Sequence, residues 1–177
     1  MKTIKCNATC LPLSPKDVLE LEGNYLAVST NWGRRVYNAL RSVSDLLQKY
    51  EKLVLVLPAK VYYPLEYVQG FLQYCHFCQV NYAVMESTET EYPVPETAYF
   101  TLTDTDLASL IKVAEKLGHK LGEEWGVLSL GDSPIKKLMG LTVITTGTDE
   151  QQIPLYYSHP SSSKSVPDVE VIRRTSL

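Results

Sequence analysis

Residues 52–58, "KLVLVLP", run apolar until Pro58 stops them. A strand-length segment with hydrophobic side chains at both parities must be covered on both faces, as a strand inside a parallel sheet is. Parallel strands cannot be joined by tight hairpins and need crossovers, usually helical. The surrounding sequence supplies these in alternation. "NYLAVSTN" (24–31) reads as a strand, and "RRVYNALRSVSDLLQKY" follows with Val36, Leu40, Val43, Leu47 and Tyr50 on one helical stripe. After the 52–58 strand come the helix "PLEYVQGFLQYCHFC", the strand "VNYAVM" and a polar loop. "AYFTLT" (98–103) then precedes a helix over 105–118 that carries Leu107, Leu110, Ile111, Ala114 and Leu117 and stops at Gly118. "GVLSLG" (126–131), the short helix "SPIKKLM" and "LTVITT" (141–146) complete the pattern. The expected fold class is α/β, a parallel sheet of about five strands with helices on both faces.

Both ends differ from this core. Residues 1–23 hold one strand-like stretch, "KTIKCNA", and a proline-containing linker. Residues 147–177 lack helical rhythm, pass through a Ser-rich turn and close on "VEVIRRTSL", a final strand. The expected organisation is therefore 1–23 as a remnant strand and linker, 24–146 as the α/β lobe and 147–177 as an irregular tail.

The formal net charge of -3 and the scattering of lysines and arginines into pairs, such as Lys136-Lys137 and Arg173-Arg174, argue against a nucleic-acid surface on this chain. No apolar run approaches the ~20 residues that span a bilayer, and the first residues show no signal-peptide core. A cytoplasmic location without membrane contact is expected.

Four cysteines fall in two close pairs, Cys6/Cys10 and Cys75/Cys78. Such spacing can serve zinc. Val68, Phe71, Leu72, Cys75 and Cys78, however, share one helical stripe, where cysteine packs as a small hydrophobe. No metal and no cofactor are expected; the role of Cys6 and Cys10 stays open.

Ligands of open parallel sheets bind beyond the carboxyl ends of the strands. The residues there are Asn31-Trp32, Pro58 with the loop "KVYYP", Met85 onward, Thr103-Asp104 and Gly131-Asp132. Carboxylates accept hydrogen bonds from paired hydroxyls, amides donate and accept, and an aromatic face packs on sugar C–H groups. Asn31, Trp32, Thr103, Asp104 and Asp132 are therefore the candidate ligand-binding residues. Asp104 and Asp106 also fit a helix cap and first-turn acid, and Asp132 precedes a helix start. Of the two, Asp104 is expected to face ligand and Asp106 to serve the helix. No catalytic residue stands out: His76, His119 and His159 have no nucleophile beside them, and no Walker loop, GxSxG elbow or GxGxxG fingerprint occurs.

Taken together, "YFTLTDTDLASLIKVAEKLGHKLGEEWGVLSLGDSPIKKLMG" and the "LTVITT" strand resemble the C-terminal lobe of the periplasmic-binding-protein-like effector domain of LacI/GalR-type regulators. More closely, they resemble the version attached to GntR-type winged-helix regulators of Bacteroidetes. Upstream, "KLVLVLP", Gly70-Phe71 and "NYLAVSTNWGRRVYNAL" match the strand, the Gly-Phe helix and the opening strand and helix of that family. The closing "VIRRTSL" is similar to its terminus. The resemblance implies a domain that binds a small molecule, usually a sugar, and passes the signal to an attached DNA-binding domain. The family's ligand-contacting acids fall on Asp104 and Asp132, and Asn31 stands where the family often has Asp. The sequence departs from the pattern in lacking a helix-turn-helix, most of the N-terminal lobe and the helix after "TVIT".

The expected function is a carbohydrate-binding effector domain of a transcriptional regulator, not an enzyme, meeting DNA only through an attached domain and forming a homodimer. Two other readings fit the same residues. One is a small flavodoxin-like α/β enzyme or phosphate-ligand binder using Asp104 and Asp132; the other is a protein-interaction module that has lost the ligand.

Overall fold

The computed structural model describes residues 31–59, 61–86, 93–145 and 170–177. The chain divides into two compact units, Met1–Asn31 and Trp32–Leu177, and the second contains the sheet. Its elements in order are α1 (Trp32–Ser42), α2 (Ser44–Leu47), β1 (Lys52–Val56), α3 (Glu66–Cys78), β2 (Tyr82–Met85) and β3 (Thr97–Thr101). Then follow α4 (Asp104–Leu117), β4 (Trp125–Leu130), α5 (Pro134–Leu138), β5 (Thr142–Thr145) and β6 (Glu170–Ile172). The strand order is β2-β1-β3-β4-β5-β6. The first five strands run parallel, and β6 pairs antiparallel with β5.

Strand parity divides the core as the apolar run of 52–58 requires. Leu53 and Leu55 point into a cluster with Val36, Leu40, Phe71 and Tyr74, under α1 and α3. Val54 and Val56 point the other way, into a cluster with Leu107, Leu110 and Trp125 under α4. The α/β class with helices on both faces is thus the observed architecture. The stripe of Val36, Leu40, Val43, Leu47 and Tyr50 is buried throughout. It does not form one continuous helix, because Val43 leaves helical geometry at φ -114 and ψ 15. The hydroxyls of Ser42 and Ser44 there bond back to the carbonyls of Ala39 and Leu40, competing with the regular ladder.

Helices α1 and α3 meet where neither has a side chain. A Cβ on Gly70 would collide with the carbonyl oxygen of Gly33, so glycine at 70 sets the separation of the two axes. Cys75 lies on the same buried face as Phe71, and burial pushes its thiol up to about 12. It is a packing residue there, with Cys78 against the same cluster. Cys6, Cys10 and the strand expected at 24–31 lie outside the described residues, apart from Asn31. So do the remnant strand of 1–23 and the tail from 146 to 169.

The closing residues are woven into the sheet. Ser176 receives the Thr142 amide on its hydroxyl at 2.7 Å and donates that hydroxyl to Val127 O at 2.8 Å. Its own carbonyl takes the Val127 amide at 2.8 Å. Leu177 is buried in the α1/α3 core.

Candidate functional site

The strand order reverses between β1 and β3: α3 carries the chain from β1 to one side, and β3, β4 and β5 extend to the other. Loops diverge at such a point, which opens a crevice beyond the carboxyl ends. On the β1 and β2 side lies an open depression of about 630 Å³, lined by Pro58, Val61, Tyr62, Tyr63, Leu65 and Glu86. On the β3 and β4 side lie the two expected acids, Asp104 and Asp132, after neighbouring parallel strands and hence on one edge.

Neither acid caps a helix. The cap of α4 is Thr103, which keeps extended geometry (φ -127, ψ 153) while its hydroxyl accepts the Asp106 amide at 3.2 Å. The Thr103 hydroxyl in turn donates to the Asp106 carboxylate, so Asp106 completes the cap. The cap of α5 is Ser133, accepting the Lys136 amide at 3.3 Å. A hydroxyl in extended backbone reaches the third amide along, which in both turns leaves the neighbouring acid available for another partner.

Those partners are cations that their spacing alone would place on the surface. Lys136 is buried, and its ammonium donates to Asp104 Oδ1 at 2.7 Å, Leu130 O at 2.7 Å and Gly131 O at 3.0 Å. Arg174 grips Asp132 with both arms of its guanidinium, at 3.0 and 2.8 Å, and also donates to Leu141 O at 2.8 Å. This bond, helped by the Ser133 amide and by Lys136, outweighs burial and holds the Asp132 carboxyl below its ordinary range; Asp132 reciprocally raises Arg174. Lys136 and Arg174 are the residues that sequence reasoning missed. A buried lysine leaves no sequence signal, and 42 residues separate Asp132 from Arg174.

Beneath the acids, Thr101 and Ser129 face each other across β3 and β4. Both are fully buried, and their hydroxyls make no hydrogen bond among the described residues. Their parity puts them on the α4 side with Tyr99 and Val127.

Trp32 begins α1 and stacks on Tyr67, in the first turn of α3, at 5.2 Å between centroids. The Arg35 guanidinium lies 5.4 Å from the centre of its ring. These contacts belong to the α1/α3 side of the sheet. Asn31 is exposed, directly precedes α1 and belongs to the Met1–Asn31 unit. Thr103, Asp104 and Asp132 are the expected residues that one edge of the sheet brings together. Among the described residues no group of three or more His, Cys, Asp or Glu side chains forms a metal cluster, and no helix is long and apolar enough to cross a membrane.

Solved structures share this arrangement of strands and helices. A sugar-binding transcriptional regulator of the LacI family from Escherichia coli, complexed with phosphate, superposes with a TM-score of 0.61 at 15% identity, over 85% of this chain and 62% of that one. The α/β fold, a mostly parallel sheet with helices on both faces, matches that of one lobe of the periplasmic-binding-protein-like domains of such regulators. A probable maltose operon transcriptional repressor from Staphylococcus aureus gives 0.62 at 15% identity, over 83% and 60%. A LacI-family regulator from Lactobacillus casei with bound glucose gives 0.60 at 14%, over 83% and 63%. The chain thus spans about three fifths of the length of these regulators. No protein-family model matches the sequence, and no curated protein sequence matches it.

Proposed function

We propose that this chain is the effector-binding part of a transcriptional regulator and takes a small carbohydrate at the carboxyl edge of its sheet. The observation that carries the reading is the placement of Asp104 and Asp132 on one edge of a fold shared with LacI-family regulators. Each is fixed by a cation and a hydrogen-bonded turn. Rigid carboxylates with free lone pairs suit the hydroxyl donors of a sugar. The loop aromatics Tyr62 and Tyr63 lie at the same end of the sheet, ready for the apolar face of a ring.

The reading includes a regulator that acts in the cytoplasm, without catalysis, and that meets DNA through an attached domain. The GntR-type winged helix suggested by the sequence resemblance is the form we favour. It also includes a homodimer, supported by the apolar face that α5 turns to solvent.

Calorimetric titration of the purified chain with glucose, xylulose, ribose and maltose tests the central claim. One of them should bind saturably, and Asp104→Asn, which keeps an oxygen for Lys136, should weaken it by roughly 1–3 kcal/mol. Absence of heat with all four sugars, or a variant indistinguishable from wild type, would overturn it.

A further inference from the structure

We infer that the ligand is a neutral polyhydroxyl compound and that the site selects against phosphorylated and other anionic forms of it. This rests on the carbohydrate-binding reading above and narrows it.

The charges at this edge are ordered from surface to interior. In both pairs at the edge the acid is the outer partner and the cation the inner one. The Lys136 side chain is 3% exposed against 69% for Asp104, and Arg174 14% against 27% for Asp132. The cations are also committed, Lys136 wholly and Arg174 in three of its five N–H donors. Lys136 has three hydrogens and three acceptors, namely Asp104 and the carbonyls of Leu130 and Gly131. Arg174 commits its fork to Asp132 and one further hydrogen to Leu141 O. What the edge shows to a ligand is mainly carboxylate oxygen, with Glu86 adding a third exposed acid at the end of β2 and Lys112, which lines the same depression as Asp104, as an exposed cation among them. A hydroxyl can donate to such oxygens. A phosphate monoester carries a charge of roughly -1.5 to -2 at neutral pH and three acceptor oxygens, so it meets like charge.

The opposing attraction would be a helix N-terminus, which favours anions. In α4 that role is already taken by the protein: Asp104 and Asp106 lie in the first turn and the Thr103 hydroxyl holds the Asp106 amide. Arg34 and Arg35 belong to α1, on the other face of the sheet from α4, and each has partners within the protein.

The test is a paired calorimetric titration: glucose against glucose 6-phosphate, and ribose against ribose 5-phosphate, at low and at high salt. Each neutral sugar that binds should do so at least tenfold more tightly than its phosphate, and the ratio should shrink as salt screens the acids. Asp132→Asn should weaken the sugar and narrow the ratio. Equal or tighter binding of a phosphate ester, or competition by inorganic phosphate, would overturn the inference and leave the carbohydrate reading standing. Failure of every sugar and every ester to bind would overturn the carbohydrate reading, and the inference with it.

Discussion

Thr103 joins a buried strand to an exposed helix start, and its hydroxyl both accepts from the Asp106 amide and donates to the Asp106 carboxylate. Thr103→Ala removes both bonds and should lower stability to urea by about 1 kcal/mol, with Thr103→Ser restoring most of it. Asp132 makes a different kind of claim, because its partner comes from the far end of the chain. Arg174 holds the Asp132 carboxyl below its ordinary range, while in the unfolded chain that carboxyl titrates near pH ~4. The stabilisation is therefore full above pH ~4 and is lost as the pH falls through the lower, folded value. Arg174→Met should cost about 1 kcal/mol at neutral pH, a partly exposed pair being screened by solvent. The gap between variant and wild type should close in acid unfolding curves as the pH falls through that lower, folded value. A gap that persists there would assign the effect to the Arg174–Leu141 hydrogen bond rather than to the ion pair.

Among the elements, the α1–α3 contact is the most exacting, because backbone meets backbone. Gly70→Ala places a methyl group against Gly33 O, and relief requires the helices to part. We expect a loss of about 1–3 kcal/mol, measured as a lower urea midpoint with an unchanged slope. Gly118→Ala meets no neighbour but is strained by its left-handed φ of 76. It should cost about 1 kcal/mol. These elements were legible because each bears a periodic signal: 52–58 showed hydrophobicity at both parities, α4 an apolar stripe ending in glycine. The break at Val43 was not legible, since its stripe is buried on both sides of the break and only the serine back-bonds mark it. The site was legible in part for the same reason. Position after a strand is a local property, and it pointed to Asp104 and Asp132. Partnership is not local: Lys136 looks like any helical lysine, and Arg174 reaches Asp132 only after β5 and β6 have folded back.

For the whole molecule the most telling element is the smallest. In α5 the usual amphipathic order is reversed: Lys136 is buried, while Ile135, Leu138 and Met139, just past its end, are 64%, 86% and 42% exposed. The inversion follows from the site, because Lys136 must turn inward to hold Asp104 and the Gly131 turn. Ile135 and Leu138 are then carried outward by the helical repeat. Such a cluster on a small domain is the kind of surface that association covers. Homodimerisation through this face predicts that the chain sediments as a dimer in analytical ultracentrifugation. Leu138→Asp should shift it to monomer while changing unfolding stability by no more than about 0.5 kcal/mol per subunit, measured on the monomer, because the side chain leaves no cavity behind. Lys137→Asp, one residue away but not part of the apolar cluster, is the control and should leave the dimer intact. A wild-type chain that sediments as a monomer, or a Leu138→Asp chain that still dimerises, would remove α5 from the interface.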